Sequence, residues 1–151
     1  MKTCTFFGHR NCPSSIAPLL EKAVIKAILA DSVTMFYVGN QGKFDSMVRK
    51  TLKRITTKYP QVNYAVVLAY MPKEKTGCDY TDYSDTILPE GIETVPPRFA
   101  ISWRNKWMLK QADIVVTYIT HSWGGAAQFT DLAKRQHKQV INIADMIKGQ
   151  A

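Results

Sequence analysis

The sequence lacks any apolar segment that could cross a membrane. Its longest uninterrupted apolar run, residues 64–71, is far shorter than the roughly 18–20 residues that a spanning helix needs. A secretion signal is also missing, because the apolar stretch after Lys2 ends at Gly8-His9-Arg10. We therefore expect a protein of the cytoplasm that has no membrane partner.

Cysteine and acidic residues are scarce. Cys4, Cys12 and Cys78 are odd in number and include no Cys-x-x-Cys pair, which argues against a disulfide framework and a zinc site. We expect neither a metal nor a cofactor. The 12 Asp and Glu residues are outnumbered by 20 Lys and Arg residues, which gives a net charge of +8. This excess suggests an anionic partner, and composition alone leaves open a nucleic acid, a membrane surface or a phosphorylated small molecule.

The sequence does contain a regular alternation of apolar β-rich runs and amphipathic helices. With 151 residues, of which 46% are hydrophobic, we expect one globular domain over residues 1–151. The predicted strands cover residues 3–7, 33–38, 62–70, 114–118 and 140–143, and the last two predicted helices cover residues 101–111 and 125–135. Strands that alternate with helices form right-handed βαβ units. We therefore predict an α/β fold, a Rossmann-like three-layer α/β/α domain with a mainly parallel five-stranded sheet in the order 3-2-1-4-5.

Between residues 71 and 97 the pattern gives way to a polar segment rich in proline, aspartate and tyrosine. Loops this long in a compact domain are usually functional or disordered. One interpretation is a lid in which Tyr80 or Tyr83 stacks on a base. The alternatives are a subunit contact and a mobile surface loop. We also expect the domain to form a homo-oligomer, a dimer or higher.

Three loops at the ends of predicted strands contain residues that the predicted strands and helices do not require. In an open parallel sheet, ligands bind beyond the carboxyl ends of the strands, where the strand order reverses. Gly8-His9-Arg10 follows the first strand, Gly39-Asn40-Gln41-Gly42 follows the second, and Thr120-His121-Ser122-Trp123-Gly124-Gly125 follows the fourth. The predicted strand order places the first and third of these loops in one crevice.

The pair Gly124-Gly125 gives the strongest chemical signal, because it opens a helix. Small residues there let an anion approach free backbone N–H groups at the positive end of the helix dipole, which suits a phosphate. The alternative is a tight strand-to-helix turn. No Gly-x-Gly-x-x-Gly fingerprint follows any strand, and Gly39-x-x-Gly42-Lys43 lacks the spacing of a P-loop. Ordinary NAD binding and NTP hydrolysis are therefore disfavoured.

Charged and aromatic side chains near these loops complete the candidate site. Arg10 could clamp a phosphate, while His9 and His121 are either ligand contacts or structural residues. Arg104 either extends to solvent or reaches into the crevice. Asp131 is either half of an ion pair within its helix or a carboxylate near the sugar of the ligand. The predicted ligand-binding residues are Gly8, His9, Arg10, Gly39, Asn40, Gln41, Arg104, Asn105, His121, Ser122, Trp123, Gly124, Gly125, Ala126 and Gln128.

Several spaced segments carry a family resemblance. They are Gly8-His9-Arg10, then Tyr37-Val38-Gly39-Asn40-Gln41-Gly42 with Phe44-Asp45, then Ser102-x-Arg104-Asn105-x-Trp107-Met108, and finally Thr120-His121-Ser122-Trp123-Gly124-Gly125-Ala126. In this order they resemble the SLOG superfamily, which unites the Lonely-guy (LOG) phosphoribohydrolases with the Rossmann-like domain of the DNA-processing protein A family. The resemblance covers nearly the whole chain and is nearest to small single-domain bacterial and phage members. It implies a Rossmann-like fold that binds nucleotides or nucleotide-derived ligands.

The LOG enzymes add an expectation about chemistry. In them, an Arg and the Glu of a Gly-Gly-x-Gly-Thr-x-x-Glu motif serve cleavage of the N-glycosidic bond of a nucleoside monophosphate. The resemblance places Arg104 at the Arg position and Asp131 at the Glu position, which makes them the candidate catalytic pair. Ala127 stands in place of a motif Gly and Gln128 in place of the Thr. The methyl group of Ala127 restricts the approach of backbone to phosphate, and the Asp carboxylate is shorter than that of Glu.

Three functions follow, in order of preference. The first is a module that binds a nucleotide or a nucleotide-derived small molecule, as a sensor or by sequestration. The alternative is a LOG-like hydrolase that cleaves the N-glycosidic bond of a nucleotide. The third and least favoured function is nucleic-acid binding through the basic face of the second predicted helix. Such a face is usually only solvated. That face carries Arg49, Lys50, Lys53, Arg54 and Lys58.

Overall fold

The computed structural model describes residues 2–71 and 84–148. In this part of the chain all strands are parallel and belong to one sheet, in the order β4-β3-β2-β1-β5-β6. The strands are β1 (Lys2–Gly8), β2 (Val33–Val38), β3 (Asn63–Val67), β4 (Thr86–Ile87), β5 (Ile114–Tyr118) and β6 (Gln139–Asn142). The helices are α1 (Ala17–Leu29), α2 (Gly42–Lys58), α3 (Pro97–Gln111), α4 (Gly125–Arg135) and α5 (Ile143–Lys148).

Over the described ranges the sheet has six strands, whereas the sequence predicts five. The five predicted strands are present in the predicted order, and the additional strand β4 lies beside β3 at the edge of the sheet. The Val66 and Leu68 N–H groups donate to the Asp85 and Ile87 carbonyl oxygens at 2.7 and 2.9 Å. A strand of two residues is too short to show an alternating pattern, and it lies within the segment predicted as a loop.

The helix after the predicted loop begins earlier than expected. Helix α3 begins at Pro97 rather than at residue 101. Proline is compatible with the first turn of a helix because the N–H group that it lacks would have no helical partner there. The interpretation of Tyr80 and Tyr83 as lid residues concerns positions outside the described residues.

A short helix directly after the last strand was also not predicted. Asn142 ends β6, and its Oδ1 accepts the N–H of Ala144 at 3.1 Å, which is the geometry of an N-cap. Helix α5 therefore begins at Ile143, whose side chain is buried.

Helices cover both faces of the sheet. Helices α1, α2 and α5 pack over one apolar cluster, in which Phe6 of β1 stacks on Phe36 with ring centroids 6.0 Å apart. Helices α3 and α4 pack over the other, in which Phe7 stacks on Phe129 at 5.5 Å. Because successive side chains of a strand point to opposite faces, β1 contributes to both clusters. None of the helices in the described ranges is both long and apolar enough to span a bilayer.

Candidate functional site

A cavity of about 570 Å³ lies at the carboxyl ends of β1 and β5. The chain runs from β1 outward to β2 on one side and returns to β5 on the other, so this is the point where the strand order reverses. We call it the site cavity. Most of the predicted ligand-binding residues line it, namely Gly8, His9, Arg10, Gln41, Arg104, Asn105, His121, Trp123, Gly124, Gly125 and Ala126.

Arg104 is buried behind this cavity, with 2% of its surface exposed. Its Nε donates to Asn105 Oδ1 at 2.9 Å, and its Nη1 donates to Asn40 Oδ1 at 3.2 Å and to the Val67 carbonyl at 2.9 Å. A Cβ on Gly39 would lie 2.8 Å from Nη1, so the glycine makes room for the guanidinium. Gly39 and Asn40 thus act on Arg104 and do not line the cavity.

The Arg104 side chain keeps donor capacity for a ligand. A guanidinium has five N–H donors, and those of Nη2 have no hydrogen-bond partner within residues 2–71 and 84–148. All three acceptors that Arg104 does use are neutral oxygens. Burial lowers the pKa of Arg104, but the group stays protonated at physiological pH. The cavity is therefore backed by a fixed positive charge.

Asp45 is a cavity residue that the predicted set did not include. It lies in the first turn of α2, and its Oδ2 accepts the Gln41 N–H at 2.9 Å. Burial raises the pKa of Asp45 to about 6, while the Gln41 hydrogen bond and the charges of Arg104 and Arg10 act in the opposite direction. A carboxylate in the first turn of a helix is the available sequence signal, since a side chain there can accept the N-cap N–H. That signal shows a cap and does not show a place in a cavity.

The N-terminus of α4 opens into the same cavity. Gly124 has a φ of +96°, a conformation that favours glycine, and no side chain caps the helix. A Cβ on either Gly124 or Gly125 would have no heavy atom within 4 Å. The first N–H groups of a helix have no partner inside it, and they form a site for anions. The first turn of α4 is thus exposed to the cavity in the way a phosphate requires.

Three rings form a column along the wall of the cavity. His9 stacks on His121 with centroids 3.6 Å apart, and His121 stacks on Trp123 at 3.7 Å, with interplanar angles of 13° and 19°. The sequence predicted each ring as a ligand contact but gave no sign that they stack. We call His9, His121 and Trp123 the ring column.

Hydrogen bonds to the backbone fix the two histidines of the column. The Thr120 N–H donates to His9 Nε2 at 3.0 Å, and His121 Nδ1 lies 3.0 Å from the Trp123 carbonyl oxygen. Burial lowers the pKa of His9, and the neighbouring His121 lowers it further. His9 is therefore neutral at physiological pH, with Nε2 acting as an acceptor.

Asn142 and Phe44, which are outside the predicted set, help to hold the loops in place. The Asn142 side chain accepts the Ile119 N–H at 3.1 Å and donates to the Ile119 carbonyl at 3.0 Å, which anchors the loop after β5. A Cβ on Gly8 would lie 2.4 Å from the ring of Phe44, so this glycine lets the loop after β1 pack directly on α2. These contacts join residues that are distant in sequence, and no local pattern marks them.

The remaining predicted residues lie elsewhere. Ser122 and Asp131 line a separate depression of about 300 Å³ beside the loop after β5, and Gln128 is exposed and lines neither cavity. Asp131 is also exposed. The structure therefore does not bring Arg104 and Asp131, the candidate catalytic pair, into one cavity.

The basic face of α2 is partly neutralised. Arg49 Nε donates to Asp85 Oδ2 at 2.9 Å, and Arg54 pairs with Glu21 at 3.1 Å. Two of the five basic residues on this face are thus held by carboxylates.

No protein-family model matches the sequence, and no curated protein matches it. Among solved structures, it is similar to the crystal structure of DNA processing protein A (DprA) from Streptococcus pneumoniae, with 16% sequence identity and a TM-score of 0.63. The chain has the fold of the matched part of that protein. The match covers 93% of this chain and 49% of DprA, so the chain spans about half of its length. The match confirms the predicted Rossmann-like α/β class, and it is consistent with the resemblance to the SLOG superfamily.

Proposed function

We propose that the site cavity binds a nucleotide or a nucleotide-derived small molecule. One observation carries the proposal: the open, glycine-initiated N-terminus of α4 and the buried Arg104 line the same cavity. A phosphate in the cavity would accept hydrogen bonds from the first turn of α4, and the Nη2 group of Arg104, which has no partner among the described residues, offers further donors to the same cavity. Arg10, exposed at the rim, adds a second positive charge.

The proposed role is binding, as a sensor or by sequestration. Cleavage of a glycosidic bond needs a carboxylate near the sugar, and Asp131, the residue predicted for that role, does not line the site cavity. The carboxyl group that does line it, Asp45, accepts the Gln41 N–H at the start of α2. The hydrolase alternative predicts that a nucleoside monophosphate releases its free base in the presence of the protein and that Asp131→Ala abolishes the release. Chromatography of the incubation mixture measures this. Release that persists in the variant would remove Asp131 from the site.

Calorimetric titration with AMP and with ADP-ribose tests the binding proposal, with Gly125→Ala as the diagnostic variant. Beyond its own helix and chain neighbours, the added Cβ has no heavy atom of the described residues within 4 Å, so the variant should fold, but the methyl group occupies the surface that a phosphate would approach. We expect at least about tenfold weaker binding, because about 1 Å of misplacement weakens charge-assisted hydrogen bonds strongly. Arg135→Ala, at the other end of α4, controls for a general loss of positive charge. The absence of binding by every phosphorylated compound tested would refute the proposal.

Nucleic-acid binding through α2 is the second candidate, supported by the fold of a DNA processing protein and by the basic face of the helix. It predicts that binding to single- or double-stranded DNA weakens steeply as salt rises. The ion pairs of Arg49 and Arg54 reduce the charge that this face can offer. Binding that does not respond to salt, or no binding, would count against this candidate.

A further inference from the structure

We propose that Trp123 is the platform on which the nucleobase of the ligand stacks. This inference rests on the proposed function and extends it, because it makes the base, and not only the phosphate, a recognised part of the ligand. Trp123 ends the ring column and lines the site cavity.

The exposure of Trp123 sets it apart from the other two tryptophans. It is 69% exposed, whereas Trp103 and Trp107 are half-buried and pack on apolar clusters. Trp107 also meets the Tyr37 ring edge-on at 5.1 Å. Trp103 and Trp107 therefore belong to the core, and Trp123 presents a large apolar surface to solvent. A large aromatic side chain in that position gains free energy when a flat ligand covers it.

The indole ring is held in place before any ligand arrives. One of its faces lies on His121 at a centroid distance of 3.7 Å, and His121 is itself held between Trp123 and His9. The hydrogen bond between His121 Nδ1 and the Trp123 carbonyl connects the imidazole to the backbone of the platform. A base that stacks on the outer face would extend an existing column, so little side-chain freedom would be lost on binding.

The position of the platform fits the length of a mononucleotide. Trp123 directly precedes Gly124 and Gly125, and neighbouring Cα atoms are about 3.8 Å apart. The Cα atoms of Trp123 and Gly125 are thus no more than about 8 Å apart, and both residues line the site cavity. A nucleoside monophosphate carries its base and its phosphate on one ribose, so one such molecule can contact both.

The experiment compares two ligands that differ only in the base. AMP and ribose 5-phosphate are titrated by calorimetry into the wild-type protein, Trp123→Ala, Trp123→Phe and Gly125→Ala. Stacking of one base on an aromatic ring corresponds to a loss of about 5- to 100-fold on substitution by alanine. We expect Trp123→Ala to weaken AMP binding by that factor and to leave ribose 5-phosphate binding unchanged. Trp123→Phe, which keeps an aromatic face, should retain most of the affinity for AMP.

The variants separate the two proposals. Gly125→Ala should weaken both ligands, because it acts on the phosphate. Equal weakening of both ligands by Trp123→Ala, or no weakening of AMP, would overturn the stacking inference while the phosphate site stands. If neither ligand binds to the wild-type protein, the proposed function fails and the platform fails with it. Thermal unfolding of Trp123→Ala should match that of wild type, since the removed side chain is exposed.

Discussion

The carboxyl group of Asp45 should make the stability of the protein depend on pH in an unusual direction. Burial raises its pKa from 3.8 to about 6 in the folded protein. The folded state therefore holds this proton more tightly than the unfolded chain does. The resulting stabilisation is fully present below about pH 4 and is lost as the pH rises through about 6. A difference of about 2 pH units corresponds to about 3 kcal/mol of unfolding free energy.

The substitution Asp45→Asn removes this titration and keeps an oxygen that can accept the Gln41 N–H. Urea unfolding of both proteins at intervals from pH 4 to pH 8 gives the difference in unfolding free energy. We expect Asp45→Asn to gain about 2.5 kcal/mol relative to wild type between pH 4 and pH 7, with most of the gain between pH 4 and pH 6. Effects of the substitution that do not depend on pH shift the whole curve and leave its slope unchanged. A flat difference would refute the buried position assigned to this carboxylate.

Asp85→Asn serves as a matched control with the opposite sign. Burial acts to raise the pKa of Asp85, but hydrogen bonds from Arg49 and Tyr64 outweigh it, and the net pKa is lowered. The stabilisation from Asp85 is present above its ordinary pKa and is lost as the pH falls through the lowered value. Asp85→Asn should therefore be less stable than wild type at neutral pH. The deficit should shrink mainly below about pH 4, so the unfolding series for this variant is extended below that pH. If both variants showed the same slope, the assay would be reporting a general acid effect.

Two further substitutions test the scaffold of the site. Gly8→Ala should lower the urea unfolding free energy by about 1–3 kcal/mol, because its Cβ would lie 2.4 Å from the buried Phe44 ring; a variant as stable as wild type would contradict the close packing of this loop. Asn142→Leu should weaken AMP binding in calorimetry and cost about 1–3 kcal/mol of stability, because it leaves both backbone groups of Ile119 without partners. An unchanged affinity would show that Asn142 does not position the loop after β5.

The fold could be predicted from the sequence because its main signals are local. The five longer strands each show an apolar run, and the helices between them dictate parallel pairing and hence the strand order. Strand β4 was not predicted because two residues are too few to show an alternating pattern. Its position is determined by hydrogen bonds to β3. The start of α3 was placed too late because proline is common in loops. Pro97 nevertheless fits the first turn of a helix, where its missing N–H group has no helical partner.

The geometry of the candidate site could be predicted from the sequence only where strand topology or a glycine in a loop determines it. Parallel strands bring their carboxyl ends to one edge of the sheet. The loop after β1, which begins at Gly8, and the loop after β5, which ends at Gly125, are therefore expected to share a crevice. The environment of Asp45 and the anchoring role of Asn142 depend on residues distant in sequence, and neither has a local signature. For Arg104, helical spacing did not distinguish a side chain that extends to solvent from one that reaches into the crevice. The space beside Gly39 and the hydrogen bond to the Val67 carbonyl place the side chain at the crevice.

The burial of Arg104 explains why the cavity should attract anions more strongly than the net charge of the chain suggests. Removing a guanidinium from water costs several kcal/mol unless charge and hydrogen bonds compensate for it. Its three acceptors are neutral, and the nearby carboxyl group of Asp45, with a pKa of about 6, loses its compensating charge as the pH falls towards 6. A phosphate at the N-terminus of α4 would add negative charge to the cavity that Arg104 lines. The ion pairs of Arg49 and Arg54 leave part of the surface charge already neutralised. The cavity, rather than the basic helix, therefore has the stronger electrostatic reason to bind an anion.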